Sequence, residues 1–268
     1  MKFKALLGDY PVTKHFKANA PGFEFADVKV PNTAFKRVVR DLEFDVAELA
    51  IMTFLLAKAH GKPLRLLPAV LTARFQHPLL VCATSLKPKD LEGKRVGQRS
   101  YSVTTAAWIR AILADDYGVN LDRVKWVTFE DPHVAEFRDP PNAERAPAGK
   151  DMTSMLLSGE LDAAIVGEMP KNERLKPVIP DPAAAAQAWK AKNRAIQINH
   201  MVTVKDSVSD SQAQEIFAML EKSRAAAGNP EMNPFGLEEN RRNLEVAIDC
   251  VVRQKMIPRR FTVEELFA

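Results

Sequence analysis

The stretch Gly93-Lys94-Arg95-Val96-Gly97-Gln98-Arg99-Ser100-Tyr101-Ser102-Val103-Thr104-Thr105 constrains this chain most. Lys94 to Gln98 reads as a short strand, followed by a hydroxyl-rich turn, and apolar spacing predicts a helix over 103–116. Strand, turn and helix in that order form the working unit of an α/β fold. A helix that opens this way aims free backbone N–H groups and the positive end of its dipole at whatever precedes it. Ser100, Ser102, Thr104 and Thr105 can donate hydrogen bonds there or cap the helix, and Arg99 adds a permanent charge with fork geometry. Those residues suit a carboxylate or phosphate site. They equally suit a capped helix with a surface arginine.

Composition narrows the partners. The chain has 268 residues, 46% apolar and 27% charged, enough for one large domain or two small ones. Its net charge of +4 is spread among acids, with no basic tract and no aromatic platform. No nucleic-acid partner is therefore expected, and the balance mildly favours small anions. The longest apolar run, Leu49 to Ala57 with Thr53 inside it, is too short to span a bilayer, so no membrane partner is expected. Cys82 and Cys250 lie far apart in apolar surroundings and read as reduced core thiols. Met1 is followed by a strand without signal-peptide features, and the expectation is a cytoplasmic protein.

Taken in order, Lys2 to Leu7 reads as a strand and Gly8 to His15 as a loop at its C-terminal end, where open α/β sheets bind ligands. Asp9, Tyr10 and His15 become candidates there. Phe23 to Val30 reads as a strand and Asn32 to Leu42 as a helix. Phe44 to Leu49 reads as a buried strand running into a helix over Ile51 to His60. Glu48 stands among Val46, Ala47, Leu49, Ala50 and Ile51, so it is either paired or set in a pocket, because an unpaired buried charge is costly. Strands follow at Leu64–Leu71 and Pro78–Thr84, and Arg74 and His77 interrupt the apolar region between them. Residues 130–149, polar and proline-rich, read as loop. His200 lies in a strand-like run over Gln197 to Val204, and amphipathic helices follow over Ser209–Ala227 and Leu237–Met256.

Leu42-Glu43-Phe44-Asp45-Val46-Ala47 is echoed by Gly159-Glu160-Leu161-Asp162-Ala163-Ala164. Each copy reads helix, turn, acid, aspartate, buried strand. The echo predicts two similar lobes, each a mixed sheet flanked by helices: residues 1–81 with 199–268, and residues 82–198. The cleft between such lobes is the default ligand site.

With Gly8-Asp9-Tyr10-Pro11, Gly61-Lys62-Pro63 and Asp90 to Gly97, these stretches resemble the type 2 periplasmic binding protein fold. Within it, the segments Asp41–Val81 and Asp90–Gly118 resemble the 4,5-dihydroxyphthalate decarboxylase family, whose members are cytoplasmic enzymes of phthalate degradation. The resemblance implies a carboxy-lyase that converts 4,5-dihydroxyphthalate, or a close analogue, to protocatechuate without oxidation. Arg99 and the helix opening would hold one carboxylate and Arg74 the other or the departing one, with Ser100, Tyr101, Ser102, Thr104, Thr105, Asp9 and Tyr10 around the substrate. Glu48, His77, His15 and His200 are the titrating candidates, with His77 read as the acid and Glu48 as its partner or the base on the phenol. No ligand pair has metal-type spacing and no dinucleotide or phosphate-loop fingerprint occurs, so neither metal nor cofactor is expected. A homodimer is compatible with the chain, though nothing in it shows one. The competing reading is a solute-binding protein for an aromatic or other small carboxylate, which the same arginine and helix terminus would serve.

Overall fold

The computed structural model describes residues 2–268, and Met1, where the first lobe was expected to begin, lies outside the described residues. The chain divides into two compact units, Met1–Arg74 with Ala195–Ala268, and Phe75–Arg194.

The first unit opens with β1 (Phe3–Leu6) and α1 (Pro11–Ala18). The expected loop over 8–15 is thus helical in its second half. Pro11 starts the helix rather than only stopping the strand, because its fixed φ suits a first helical position and its missing N–H is not needed there. Val12 and Phe16, one turn apart, are buried, and the Phe16 N–H donates to Ser223 Oγ at 2.9 Å. Next come β2, only Phe23–Phe25, and α2 (Phe35–Val39), preceded by a 3₁₀ turn at Pro31–Ala34. β3 (Val46–Ala50) is buried throughout and runs directly into α3 (Ile51–Ala59), before β4 (Leu64–Ala73).

The second unit holds β5 (Leu80–Cys82), β6 (Arg95–Gln98), α4 (Thr104–Tyr117), β7 (Lys125–Thr128) and β8 (Ala143–Arg145). It continues with α5 (Met152–Ser158), β9 (Ala163–Ile165), β10 (Lys176–Pro177) and α6 (Pro182–Asn193). β8 falls in the segment expected to be loop. It is an edge strand held to β7 by parallel backbone pairing, and its half-exposed Ala-Glu-Arg carries no apolar signal. The expected boundary at 81/82 would have cut β5, which pairs wholly within this unit.

The chain then returns to the first unit through β11 (Ile198–Lys205), α7 (Asp210–Ala226) and α8 (Leu237–Arg253). The first sheet has the order β2-β1-β3-β11-β4 and the second β10-β5-β9-β6-β7-β8. In the first, β3 lies between parallel β1 and antiparallel β11, so whatever β3 carries at its C-terminal end is reached from both sides. Among the described residues, no helix is long and apolar enough to cross a membrane.

Candidate functional site

In the first unit the site is built on Glu48. Its side chain is fully buried on the central strand, and three donors converge on it. The Gly8 N–H donates to Oε2 at 2.5 Å and the Tyr10 hydroxyl to Oε1 at 2.9 Å. His200 Nδ1 lies 2.8 Å from Oε1. The strand register explains the last contact. His200 stands opposite Ala50 and Val202 opposite Glu48, so Glu48 and His200 are diagonal neighbours on one face, within reach of long side chains. Tyr10 arrives by folding back over Gly8, where a Cβ would sit 2.6 Å from the tyrosine ring. Thr13 fixes that turn, its hydroxyl donating to the Gly8 carbonyl at 2.6 Å and accepting from the Tyr10 N–H at 3.0 Å.

The chemistry follows from donor count. A carboxylate oxygen accepts, so the Nδ1 facing Glu48 is the ring nitrogen placed to donate, and Nε2 is not engaged in that contact. His200 keeps 18% of its side chain exposed, while Glu48 keeps none. Phe35 meets the imidazole edge-on at 5.1 Å and helps fix its plane. Burial and the negative Glu48 push the Tyr10 phenol far above its ordinary pKa, so it stays a hydrogen-bond donor.

In the second unit, α4 opens after Arg99-Ser100-Tyr101-Ser102 with Val103 at the N-cap. The expected hydroxyl cap is absent from this helix, whereas Asp151, Asp181 and Ser209 cap α5, α6 and α7 with their side chains. Ser100 and Ser102 are buried, their hydroxyls 3.5 Å apart, and Thr104 is buried beside half-buried Thr105. Arg99 is partly exposed, 3.7 Å from Glu130.

The remaining candidates separate. His77 is buried in a 3₁₀ turn (His77–Leu79), and neither ring nitrogen has a hydrogen-bond partner among the described residues. Within the first unit the hydrogen-bond partner of Glu48 is His200, whereas His77, expected as the acid with Glu48 as its partner, belongs to the second unit. Burial lowers the His77 pKa to about 4 despite the nearby Asp116 carboxylate, so the ring is neutral near pH 7. His15 is exposed on α1 against Asn19, and Asp9 turns outward to Lys17, so neither joins the Glu48 group. Arg74 is exposed at the end of β4. Among the described residues, no group of three or more His, Cys, Asp or Glu is placed to hold a metal ion.

Sequence reading missed Arg110. Its side chain is fully buried in α4 and bonds Gln98 Oε1 and the Tyr101 carbonyl, both at 2.7 Å. The signal was present: Arg110 is the only charge in the run Ala106 to Ala114.

These features define a periplasmic-binding-protein-like fold. The alkanesulfonate-binding protein SsuA from Xanthomonas axonopodis pv. citri matches 99% of this chain and 97% of its own at TM-score 0.59 and 13% identity. The periplasmic aliphatic sulphonate binding protein SsuA from Escherichia coli matches over the same shares at TM-score 0.57 and 12% identity. In sequence the chain is related to curated 4,5-dihydroxyphthalate decarboxylases. The one from Comamonas testosteroni is 26% identical over 196 residues, 67% of this chain and 59% of that protein. The one from Pseudomonas putida is 29% identical over 175 residues, 59% of this chain and 68% of that protein. The match thus spans about three fifths of the Comamonas protein's length. No family model matches the chain.

Proposed function

We propose that this chain is a carboxy-lyase that releases one carboxylate of an aromatic dicarboxylate as CO2, with 4,5-dihydroxyphthalate or a close analogue as substrate. The relatives in sequence motivate the reaction class, and one observation carries the chemistry: a buried glutamate aligned on a partly exposed histidine. Replacing the carboxylate requires a proton at the ring carbon that bears it. Protonated His200 delivers that proton from Nε2. The bond from ring to carboxylate then breaks, its electron pair restores the aromatic ring, and CO2 leaves. Glu48 steadies the imidazolium before transfer, and solvent recharges it afterwards. The role expected of His77 passes to His200, because a neutral ring buried on both nitrogens is a poor proton donor.

Arg99, with the hydroxyls of Ser100, Ser102, Thr104 and Thr105, is assigned to hold a substrate carboxylate. The same reading places the reaction in the cytoplasm, with Cys82 and Cys250 as free buried thiols.

The test is CO2 release from 4,5-dihydroxyphthalate and other aromatic dicarboxylates, with a chelator control. His200→Gln is expected to lower kcat by roughly 10²–10⁴-fold, the usual worth of a positioned acid or base. Arg99→Ala is expected to raise KM by roughly 10–100-fold with a smaller change in kcat, as when a charge-assisted hydrogen bond is lost. Saturable binding of these acids with no CO2 from the wild-type protein would replace the lyase by a carboxylate-binding protein.

A further inference from the structure

We infer that Arg110 is the positioning residue that holds the turn Arg99–Val103 in its carboxylate-receiving shape. The inference rests on the assignment of that turn to the substrate carboxylate and adds what sets its conformation.

Inside the turn the backbone makes one long hydrogen bond, Val103 N–H to the Ser100 carbonyl at 3.4 Å. Firm contacts come from outside it. The Phe129 and Glu130 N–H groups donate to the Arg99 carbonyl at 3.0 and 2.7 Å. In the middle of the turn the Tyr101 carbonyl accepts from Arg110, whose second guanidinium nitrogen bonds Gln98 Oε1 on the last residue of β6. One rigid, planar fork thus spans from the strand's end to the middle of the turn. The guanidinium also lies 3.7 Å over the Tyr101 ring and 5.7 Å from the Trp126 ring, so Tyr101 is held by its backbone carbonyl and by its ring face. Phe137 stacks on the far part of this layer, 6.4 Å from Tyr101.

A buried guanidinium is a poor source of stability, since well-packed apolar residues often replace such charges at no loss. What it supplies here is geometry: two acceptors of different elements are tied to one plane. Lysine keeps the charge but cannot span both acceptors in that plane, so Arg110→Lys separates the fork from the charge.

Hydrogen exchange on the ligand-free protein is the first arm. Arg110→Lys is expected to speed exchange of the Ser100–Val103 amides roughly tenfold, as loss of one charged hydrogen bond implies, with the first unit unchanged. Unchanged amides in that turn, or equal acceleration across the whole second unit, would overturn the inference. Should Arg110→Lys not fold, Gln98→Leu cuts one end of the fork and is expected to loosen the same amides to a lesser degree. Turnover is the second arm: KM for 4,5-dihydroxyphthalate rises roughly tenfold while kcat and its pH profile hold, because His200 and Glu48 are untouched. A loss confined to kcat would also overturn it. Wild-type protein that releases no CO2 would sink the lyase reading, while the exchange arm would still judge Arg110.

Discussion

At the start of β3, Asp45 accepts a hydrogen bond from the Lys4 N–H at 2.9 Å and donates its own N–H to the Lys4 carbonyl at 2.8 Å. At the start of β9, Asp162 does the same with Arg95, accepting at 2.9 Å and donating at 2.9 Å. Each aspartate then pairs with a lysine, Lys205 or Lys94, and each copy is entered through a left-handed residue, Leu42 or Gly159. In both units the strand runs parallel to its partner, β1 or β6. Three residues on, the copies diverge: the first places Glu48 and the second Ile165. The exits of the partner strands diverge too. Gly8 admits the folded-back Tyr10 to Glu48, whereas Gln98 leads into the Arg99 turn clamped by Arg110. One frame thus supports a buried carboxylate paired with a histidine in one unit and an arginine-bearing turn in the other. The frame is structural, and the residues to which the proposed chemistry is assigned lie just past it.

The strongest way to break this contrast is to write the second unit's residue into the first. Glu48→Ile suits its apolar neighbours but leaves Tyr10 and His200 without their acceptor. We expect kcat for CO2 release to fall by about 10²–10⁴-fold with the circular-dichroism spectrum retained. A variant that kept wild-type kcat would show that the proton comes from elsewhere.

The two histidines sharpen the contrast at a smaller scale. His200 is aligned on a carboxylate, while His77 is buried with neither nitrogen hydrogen-bonded among the described residues. In the unfolded chain His77 binds a proton below about 6.5, its ordinary value. In the folded chain it resists until about 4. Unfolding therefore takes up a proton in that window, so stability present above about 6.5 is lost as pH falls towards 4. Thermal melts of the wild type against His77→Phe are expected to show the variant losing about 3–6 °C less over that range. Parallel slopes would mean that His77 titrates normally in the fold.

The frame was legible in the sequence because it is local: six consecutive residues carry each copy. Glu48 was legible as a lone charge in an apolar run. Its partner was not. His200 lies 152 residues away and meets it only through the antiparallel register of β11 on β3. His77, expected as that partner, carried the same local signal of a polar group among apolar ones and belongs to the other unit. Tyr10 was named beside Asp9, yet only the bare Gly8 backbone explains why one turns in and the other out. Arg110 carried the mark that singled out Glu48, a lone charge in an apolar run, and went unread.

The smallest effect tests whether the two frames are equivalent. Asp45→Ala and Asp162→Ala each remove one acceptor for a strand-opening N–H and one half-exposed ion pair. The ion pairs contribute little where solvent reaches them, so the backbone bond sets the loss, about 1–1.5 kcal/mol at each site. Urea unfolding followed by probes in each unit reads the two losses separately, with Trp108, Trp126 and Trp189 all reporting on the second. Losses within about 0.5 kcal/mol of one another would show that the hydrogen bonds are energetically, as well as geometrically, repeated. A markedly larger loss at Asp45 would mean that this aspartate also holds Glu48 in place, and CO2 release by Asp45→Ala would then fall while that by Asp162→Ala did not.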